Sequence, residues 1–160
     1  MDIQPVELPS LRVLAYRRVG PYGPAVGEAF CKLVGFAQRN SLFCGSSIVV
    51  GAYHDCPKAT APEQCRMDAC ITLEPNMNPA LEDGFRIETL QGGLFVNGLS
   101  SVYNNNFAEP YERIAAWMQE RNYPYDPSRP CYEFYYGPCA DTHPLKKWIV
   151  DFFEPVKPRV

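Results

Sequence analysis

The sequence predicts an α+β fold of two related units, each an antiparallel sheet that carries one main helix. Strand-like and helix-like segments alternate along the chain, and the order strand, helix, strand, strand occurs twice. The length of 160 residues is that of one ordinary domain, whereas a unit of half that length would close a poor core alone. We therefore expect residues 1–160 to form a single domain containing an internal repeat.

The first repeat, residues 1 to about 75, reads as a strand, a helix and two further strands. Its first strand mixes apolar residues with three arginines, which is typical of a strand with one wet face. Apolar residues then recur at the i, i+3, i+4, i+7 spacing of an amphipathic helix, and two β-rich runs follow on either side of a proline-containing loop. The predicted elements are the strand Leu11–Val19, the helix Ala25–Arg39, and the strands Ser47–Tyr53 and Met67–Leu73.

The second repeat, residues 84 to about 160, follows the same order. Residues 120–122 align with residues 38–40 at a shift of 82, and the Glu-Pro ending at Pro155 aligns with that at Pro75 at a shift of 80. Matching order and near-constant offset indicate a duplication. We expect the units to pack about a pseudo-twofold axis with a ligand groove between them. The predicted elements are the strands Phe85–Leu90 and Leu94–Tyr103, a helix opening after Asn104–Asn106, the strand Cys131–Tyr136, and a strand that contains Trp148, Val150 and Phe152. The buried stripe of the helix is predicted as Tyr111, Ile114, Ala115 and Met118 with Trp117 on its flank, and Trp148 is interpreted as a core residue.

Composition excludes several classes of protein. A net charge of −3 and the absence of a basic run argue against nucleic acid as a direct partner. No run is long and apolar enough to span a bilayer and no signal peptide is visible, so we expect a cytoplasmic protein without a membrane partner. The seven cysteines are expected to be reduced. His54, Cys56, Cys65 and Cys70 lack paired ligand spacing, so we expect no metal and no cofactor. His54 is interpreted as a solvated loop residue, and Arg66 and Asp68 as a structural pair on one strand face.

The segment Pro130–Gly137 is unusual because one acid, Glu133, lies among four aromatic residues and a cysteine. Side-chain alternation places Cys131, Glu133 and Tyr135 on one face of a strand. Glu133 then lies either at an exposed edge or in an apolar pocket, and a third possibility is an ion pair with an arginine, Arg129 or Arg66, in a filled core. Under the repeat, Glu133 aligns with Gly51 and Trp117 aligns with Gly35.

Five segments resemble the gyrase-inhibitor-like (GyrI-like) proteins and the effector-binding domains of multidrug-responsive regulators. They occur in the family's order along nearly the whole chain, and two features depart from it: Asp55-Cys56-Pro57 stands where the family often has Asp-Asp-Pro, and the second half lacks a Gly-Pro-Tyr. The absence of room for a helix-turn-helix domain indicates the stand-alone form. The segments are Arg18–Tyr22, Gly51–Asp55, Cys65–Asp68, Tyr111–Trp117 and Arg129–Tyr135.

The resemblance implies a single effector-binding domain with a pocket for lipophilic, often cationic, small molecules, and thus a role in drug or toxin sequestration, sensing or resistance. By position, Glu133 matches the family's pocket acid and Trp117 its tryptophan. Tyr135, Tyr22 and Tyr103 are the further predicted ligand-binding residues. A flat cation would pair with Glu133 and stack on aromatic rings.

Two other functions remain open from the sequence. Some stand-alone relatives are similar to hydrolases of strained, cyclopropane-bearing electrophiles, and a desolvated Glu133 could activate water in such a reaction. The family's name also suggests a protein interaction with DNA gyrase. We expect a binding protein more than an enzyme, and the oligomeric state is not predicted.

Overall fold

A computed structural model describes residues 1–137 and 139–159. Within them lie eight antiparallel strands and two α-helices, which confirms the α+β class. No helix in these two ranges is long and apolar enough to cross a membrane. The elements are β1 (Ile3–Leu8), β2 (Leu11–Val19), α1 (Tyr22–Arg39), β3 (Val49–Tyr53), β4 (Arg66–Thr72), β5 (Phe85–Leu90), β6 (Gly93–Tyr103), α2 (Ala108–Glu120), β7 (Cys131–Tyr136) and β8 (Lys147–Pro155), with a short 3₁₀ turn at Pro62–Gln64.

The chain forms two compact units, which we call the first unit (residues 10–91) and the second unit (residues 1–9 and 92–160). In the first unit the strands are ordered β3-β4-β2-β5. The apolar stripe of α1 is buried against one face of this sheet, as its periodicity predicts. The helix begins at Tyr22, three residues before the predicted start, because Pro21 precedes it and Pro24 fits its first turn.

In the second unit the strands are ordered β1-β6-β8-β7. The helix α2 packs Ile114 and Met118 against apolar residues of β6 and β8, among them Val102 and Phe152. The strand β1 was not predicted from the sequence, because Pro5 and polar residues interrupt its apolar pattern. Proline is tolerated there since β1 lies at an edge and pairs only with β6 among the described residues.

Each unit by itself follows the order strand, helix, strand, strand, and each adds one more strand beside its first. The repeated Glu-Pro ending is not at equivalent positions, however. Pro155 is the last residue of β8 and pairs with Phe95, whereas Pro75 lies beyond the end of β4 at Thr72. Common topology therefore supports a duplication better than the Glu-Pro match does, and the duplication stays a prediction.

The start of α2 differs from the prediction. The helix begins at Ala108 with Phe107 at its N-cap and no side-chain cap. Asn104 and Asn105 instead adopt left-handed φ angles of 51° and 56° in a turn that leaves β6. Asparagine tolerates this backbone region better than most residues do, so the asparagine run forms the turn and does not cap the helix.

Candidate functional site

Glu133 lies in the middle of β7, directly opposite Phe152 of β8. Its residue is 5% exposed, so the exposed-edge interpretation is wrong. It accepts a hydrogen bond from Tyr111 of α2, so the face that Glu133 shares with Tyr135 points towards this helix. The sequence pattern placed Glu133 within a strand, as the structure does, while its burial depends on the packing of α2 over the sheet.

Both carboxylate oxygens of Glu133 are hydrogen-bonded by phenols. The hydroxyl of Tyr111 donates to Oε2 at 2.8 Å, and the hydroxyl of Tyr135 donates to Oε1 at 2.9 Å. The alternative ion pair is not formed, because Arg129 pairs with Asp126 and Arg66 pairs with Asp55. The acid is thus held by neutral donors.

Burial raises the pKa of Glu133 to about 7, because removing the carboxylate from water disfavours its charged form. The two tyrosine hydrogen bonds oppose this rise, and the negative charge of Glu154 adds to it. Near neutral pH the group is therefore divided between its protonated and ionised forms. A group in this condition can accept a cation or exchange a proton with little cost.

A second acid with a raised pKa, the half-buried Glu154 of β8, lies on an adjacent strand. The thiol of Cys131 donates to Glu154 Oε2 at 3.2 Å. Burial raises the pKa of Glu154 to about 7, and the thiol bond opposes the rise. Burial also raises the pKa of Cys131, so its thiol stays protonated and can act as this donor.

Aromatic rings surround Glu133 within the second unit. Tyr111 meets Phe152 edge-on at 5.0 Å between ring centroids, and Tyr135 meets Trp148 edge-on at 6.0 Å. Phe152 is fully buried, whereas Tyr135 and Trp148 are half-buried. Trp148 was interpreted as a core residue, but its indole N–H donates to Asn105 Oδ1 at 3.2 Å. It therefore combines an apolar contact with a polar one at the side of the cluster.

Of the five predicted ligand residues, the structure brings Tyr135 into contact with Glu133. Trp117 stacks on Tyr123 at 5.5 Å, with the guanidinium of Arg121 at 4.6 Å from its ring, so both partners come from the end of α2 and the following loop. Its position on the flank of the helix stripe was predicted, but its stacking partners were not.

The other two predicted tyrosines have different surroundings. The hydroxyl of Tyr22, in the first unit, lies 2.8 Å from the backbone oxygen of Asp55 and 2.9 Å from that of Arg66, which fastens a loop. Tyr103 is 48% exposed at the end of β6, and Lys147 Nζ lies 6.0 Å from its ring. The assignment of both to a ligand site stays a prediction.

Sequence reasoning missed Tyr111 and Glu154 as site residues. Tyr111 was identified only as the first member of the buried stripe of α2, and Glu154 only as part of the Glu-Pro ending. The available signal was weak: a tyrosine in an otherwise apolar stripe needs a partner for its hydroxyl. The sequence does not show that this partner is Glu133. The contact depends on how α2 packs against the sheet, and Glu133 lies 22 residues after Tyr111.

The first unit has a buried acid of its own, Asp68 of β4, which is 0% exposed. Arg17 Nε donates at 2.8 Å, Arg86 Nη2 lies at 2.9 Å and His54 Nε2 at 2.7 Å from its oxygens. These partners overcome the cost of burial and hold the pKa of Asp68 far below its usual range. His54, interpreted as a solvated loop residue, is part of this network.

The sequence interpretation that paired Arg66 with Asp68 is wrong. Arg66 instead binds Asp55 through Nε at 2.9 Å and Nη2 at 3.0 Å. Asp55 follows the end of β3 and also accepts from the backbone N–H of Arg66 at 2.8 Å. Asp55, in the loop after β3, is therefore the acid that pairs with Arg66, and Asp68 on the same strand as Arg66 is not.

Two cavities lie at other places. One of about 420 Å³ in the second unit is bounded by the end of β6 and the first turns of α2, and Tyr103 and Arg113 contribute to its wall. One of about 200 Å³ in the first unit lies beside Gly35 of α1 and Phe85 of β5. Glu133 lines neither of them, which fits its nearly complete burial.

Comparison with known proteins places the chain in a family. Residues 1–157 match the GyrI-like small molecule binding domain. The chain belongs to the GyrI-like family. This GyrI-like chain is 26% identical over 153 residues to a DNA gyrase inhibitor of Pantoea sp. (strain At-9b), with 96% of each chain covered. It is also 26% identical over 159 residues to a DNA gyrase inhibitor of Edwardsiella piscicida, covering 98% and 99% of the two chains.

Solved structures share the fold of this GyrI-like chain at low sequence identity. The C-terminal domain of EcmrR has a TM-score of 0.76 at 14% identity, with 99% of this chain and 98% of that chain covered. SAV2435 bound to tetraphenylphosphonium has a TM-score of 0.64 at 15% identity, with 98% and 94% covered. These similarities agree with the α+β fold described above.

Proposed function

We propose that this chain binds hydrophobic, preferably cationic small molecules at the Glu133 site and so sequesters or senses drugs or toxins. The observation that carries the proposal is a buried carboxylate whose donors among the described residues are neutral tyrosines and which aromatic rings border. Membership in a small-molecule-binding family supports it. The structure of a relative in the fold, SAV2435, with a lipophilic cation adds support for the ligand's charge.

Charge compensation provides the driving force. An ionised carboxylate in an apolar site costs several kcal/mol unless a positive partner arrives. Phenol hydroxyls offset part of this cost but carry no charge to neutralise. A ligand cation supplies the missing charge, and its contacts with the rings of Tyr135 and Trp148 add about 0.5 to 2 kcal/mol each.

The solvent exposure of the side chains around Glu133 indicates the path by which a ligand reaches it. Phe152 closes one side because it is fully buried, while Tyr135 and Trp148 are half-buried. A ligand therefore enters past Tyr135 and Trp148 and displaces the Tyr135 hydroxyl from Oε1. Tyr111 keeps its bond to Oε2 and holds the carboxylate in place.

Binding of a cation should strengthen as pH rises through about 7. The ionised form of Glu133 attracts the ligand, while the protonated form does not, and the pKa of Glu133 is raised to about 7. The titratable groups that face it are Glu154, the hydroxyls of Tyr111 and Tyr135, and the thiol of Cys131. Glu154 titrates in the same range and adds to the same trend.

Titration with tetraphenylphosphonium by isothermal calorimetry tests the proposal. Glu133→Gln should weaken binding by at least about tenfold at pH 8, equal to about 1.4 kcal/mol, because the amide carries no charge. The same variant should remove most of the change in affinity between pH 6 and pH 8. Neutral triphenylphosphine oxide should bind wild type and variant alike.

Glu120→Gln is the matched control, since Glu120 is an exposed glutamate at the end of α2 and its loss changes the net charge equally. It should leave the affinity unchanged. Equal affinity of Glu133→Gln and wild type for the cation would refute the pairing role of Glu133.

A hydrolase is the second candidate, and one observation favours it. A carboxylate with a pKa near 7 can deprotonate water, and the two phenols that lie 2.8 and 2.9 Å from it can donate to an oxygen that gains charge. Mass spectrometry after incubation with a cyclopropane-bearing electrophile would detect addition of one water. A substrate that is still intact after long incubation with excess protein excludes this activity for that class.

The name of the relatives makes DNA gyrase a third subject for testing. A supercoiling assay with purified gyrase and increasing amounts of this protein measures the effect directly. Inhibition of gyrase by Glu133→Gln as strong as by wild type would show that the effect on gyrase does not depend on the Glu133 site. Unchanged supercoiling at every protein concentration would refute an interaction that inhibits gyrase.

We also propose that the two units arose by duplication. The common element order and the common strand order within each unit support this origin. After duplication the acid would have been acquired by β7 alone, because the aligned residue of β3 is Gly51. Separate expression of each half tests whether either folds without the other.

A further inference from the structure

The strand β6 has an edge that is only partly covered. β1 pairs with it from Gly93 to Gly98, and the partner of Gly98 is Ile3. On its other edge, β8 pairs with β6 as far as Tyr103. From residue 99 to residue 103, therefore, no strand in the described ranges of the chain pairs with the outer edge, which leaves a place where another strand can be added.

The uncovered segment lacks the usual protection of an edge strand. No charged residue and no proline occurs from Gly93 to Tyr103, whereas natural edges are commonly blocked by lysine, proline or a covering element. Leu99 is 52% exposed and Tyr103 is 48% exposed. Exposed apolar side chains on an open, uncharged edge favour the addition of another strand.

The helix beside this edge presents two opposite charges. Glu109 and Arg113 of α2 form an ion pair at 2.8 Å, and both side chains are more than half exposed. They line the cavity of about 420 Å³ together with the end of β6. A strand added to β6 would therefore bring its own unit against this part of α2.

We propose that the partner is a second copy of this chain, with β6 paired antiparallel to β6 about a twofold axis at Ser101. Ser101 is the midpoint of the uncovered segment, so Leu99 of one copy faces Tyr103 of the partner subunit and the reverse. Each apolar residue thus gains an apolar neighbour, and the central pair is serine with serine. An isologous interface of this kind requires a surface that is complementary to itself.

The charges on α2 meet this requirement. The rotation places α2 of both copies on the same face of the extended sheet, running antiparallel. Because α2 packs on both β6 and β8, its axis lies inward of β6, so two β6 strands about 4.8 Å apart place the two helices about 8 to 10 Å apart, the usual packing distance. Glu109 then faces Arg113 of the partner subunit, and Arg113 faces Glu109 of the partner subunit. A partner with a different charge pattern would lose this match.

Sedimentation velocity of the full chain, without ligand, tests the interface. Wild type should sediment as a dimer. Ser101→Lys and Ser101→Asp should each sediment as monomers, because each places like charges opposite one another at the axis. A 1:1 mixture of the two variants should restore the dimer, since lysine then faces aspartate. Ser101 is exposed on β6, so both variants should fold, which circular dichroism checks.

Thr89→Lys is the matched control: Thr89 is exposed on β5, which lies at the edge of the first unit's own sheet, and it should leave the dimer intact. The proposal is overturned by a monomeric wild type at every accessible concentration, by Ser101 variants that stay dimeric, by a mixture that stays monomeric, or by dissociation in the control. None of these outcomes depends on ligand binding, so the proposed function is tested separately.

Discussion

At the scale of single residues, the site depends on how each buried acid is compensated. Asp68 is surrounded by arginines and a histidine, which keep it ionised. Glu133 has two phenols and Glu154 has a thiol, and both acids have a pKa raised to about 7. The same residue class therefore has a structural role in one unit and a proposed ligand-binding role in the other.

Tyr111→Phe should destabilise the protein more at pH 8 than at pH 5.5. The lost hydroxyl donates to Glu133 Oε2, and a hydrogen bond to a charged group contributes about 1.5 to 3 kcal/mol, compared with about 0.5 to 1.5 for a neutral one. Glu133 is mostly ionised at pH 8 and mostly protonated at pH 5.5, given its pKa of about 7. Urea unfolding at both pH values measures the difference.

The control for this variant is Tyr103→Phe, which removes a hydroxyl from an exposed ring at the end of β6. It should change stability little at either pH. An equal loss at pH 5.5 and pH 8 in Tyr111→Phe would mean that the hydrogen bond is insensitive to the charge of Glu133.

At the scale of elements, one arginine fastens the ends of several strands in the second unit. Arg129 Nη2 donates at 2.8 Å to the backbone oxygens of Leu94 and Val156, and its Nε donates to Asp126 at 3.0 Å. Gly93 makes room for it, since a Cβ there would lie 2.8 Å from Arg129 Nη1 and its φ is +121°. This clamp fixes the start of β6 relative to the end of β8.

Arg129→Lys should lower the free energy of unfolding by about 2 to 3 kcal/mol, because one ammonium cannot replace a planar fork that serves several acceptors. Thermal and urea unfolding measure the loss. Arg39→Lys is the control, since Arg39 is exposed and makes a longer ion pair of 3.3 Å with Glu82. A similar loss in both variants would contradict a specific role for the clamp.

Much of this element structure could be predicted from the sequence. The periodic apolar stripes located both helices, and the β-rich runs located seven of the eight strands that the structure describes. The strand that was not predicted is β1. It pairs with β6, and its own sequence shows little alternation of apolar and polar residues. Boundaries shifted where backbone conformation decided them, as in the left-handed turn at Asn104 and Asn105.

At the scale of the whole molecule, the buried acids of the two units predict a maximum of stability near pH 4.5. The pKa of Asp68 is depressed on folding, so its contribution is present above its unfolded value of 3.8 and is lost as pH falls further. The pKa values of Glu133 and Glu154 are raised from 4.5 to about 7, so stability is lost as pH rises between these values.

Urea unfolding from pH 3 to pH 9 measures this profile. The double variant Glu133→Gln, Glu154→Gln should lose the decline between pH 5 and pH 8 while keeping the decline below pH 4. Wild-type stability that rises from pH 5 to pH 8 would contradict the burial of uncompensated acids. The proposed ligand binding and the pH profile have one cause, because both depend on the cost of ionising these glutamates.

The sequence by itself determined the α+β class and the order of the main elements and directed attention to Glu133 as a candidate, because periodicity and a charge among aromatic residues are local signals. Tertiary structure decided the burial of Glu133, its tyrosine donors and the second acid at Glu154. These features depend on contacts between residues far apart in the chain. A pKa depends on all the groups around an acid, so it follows from packing and not from the strand pattern alone.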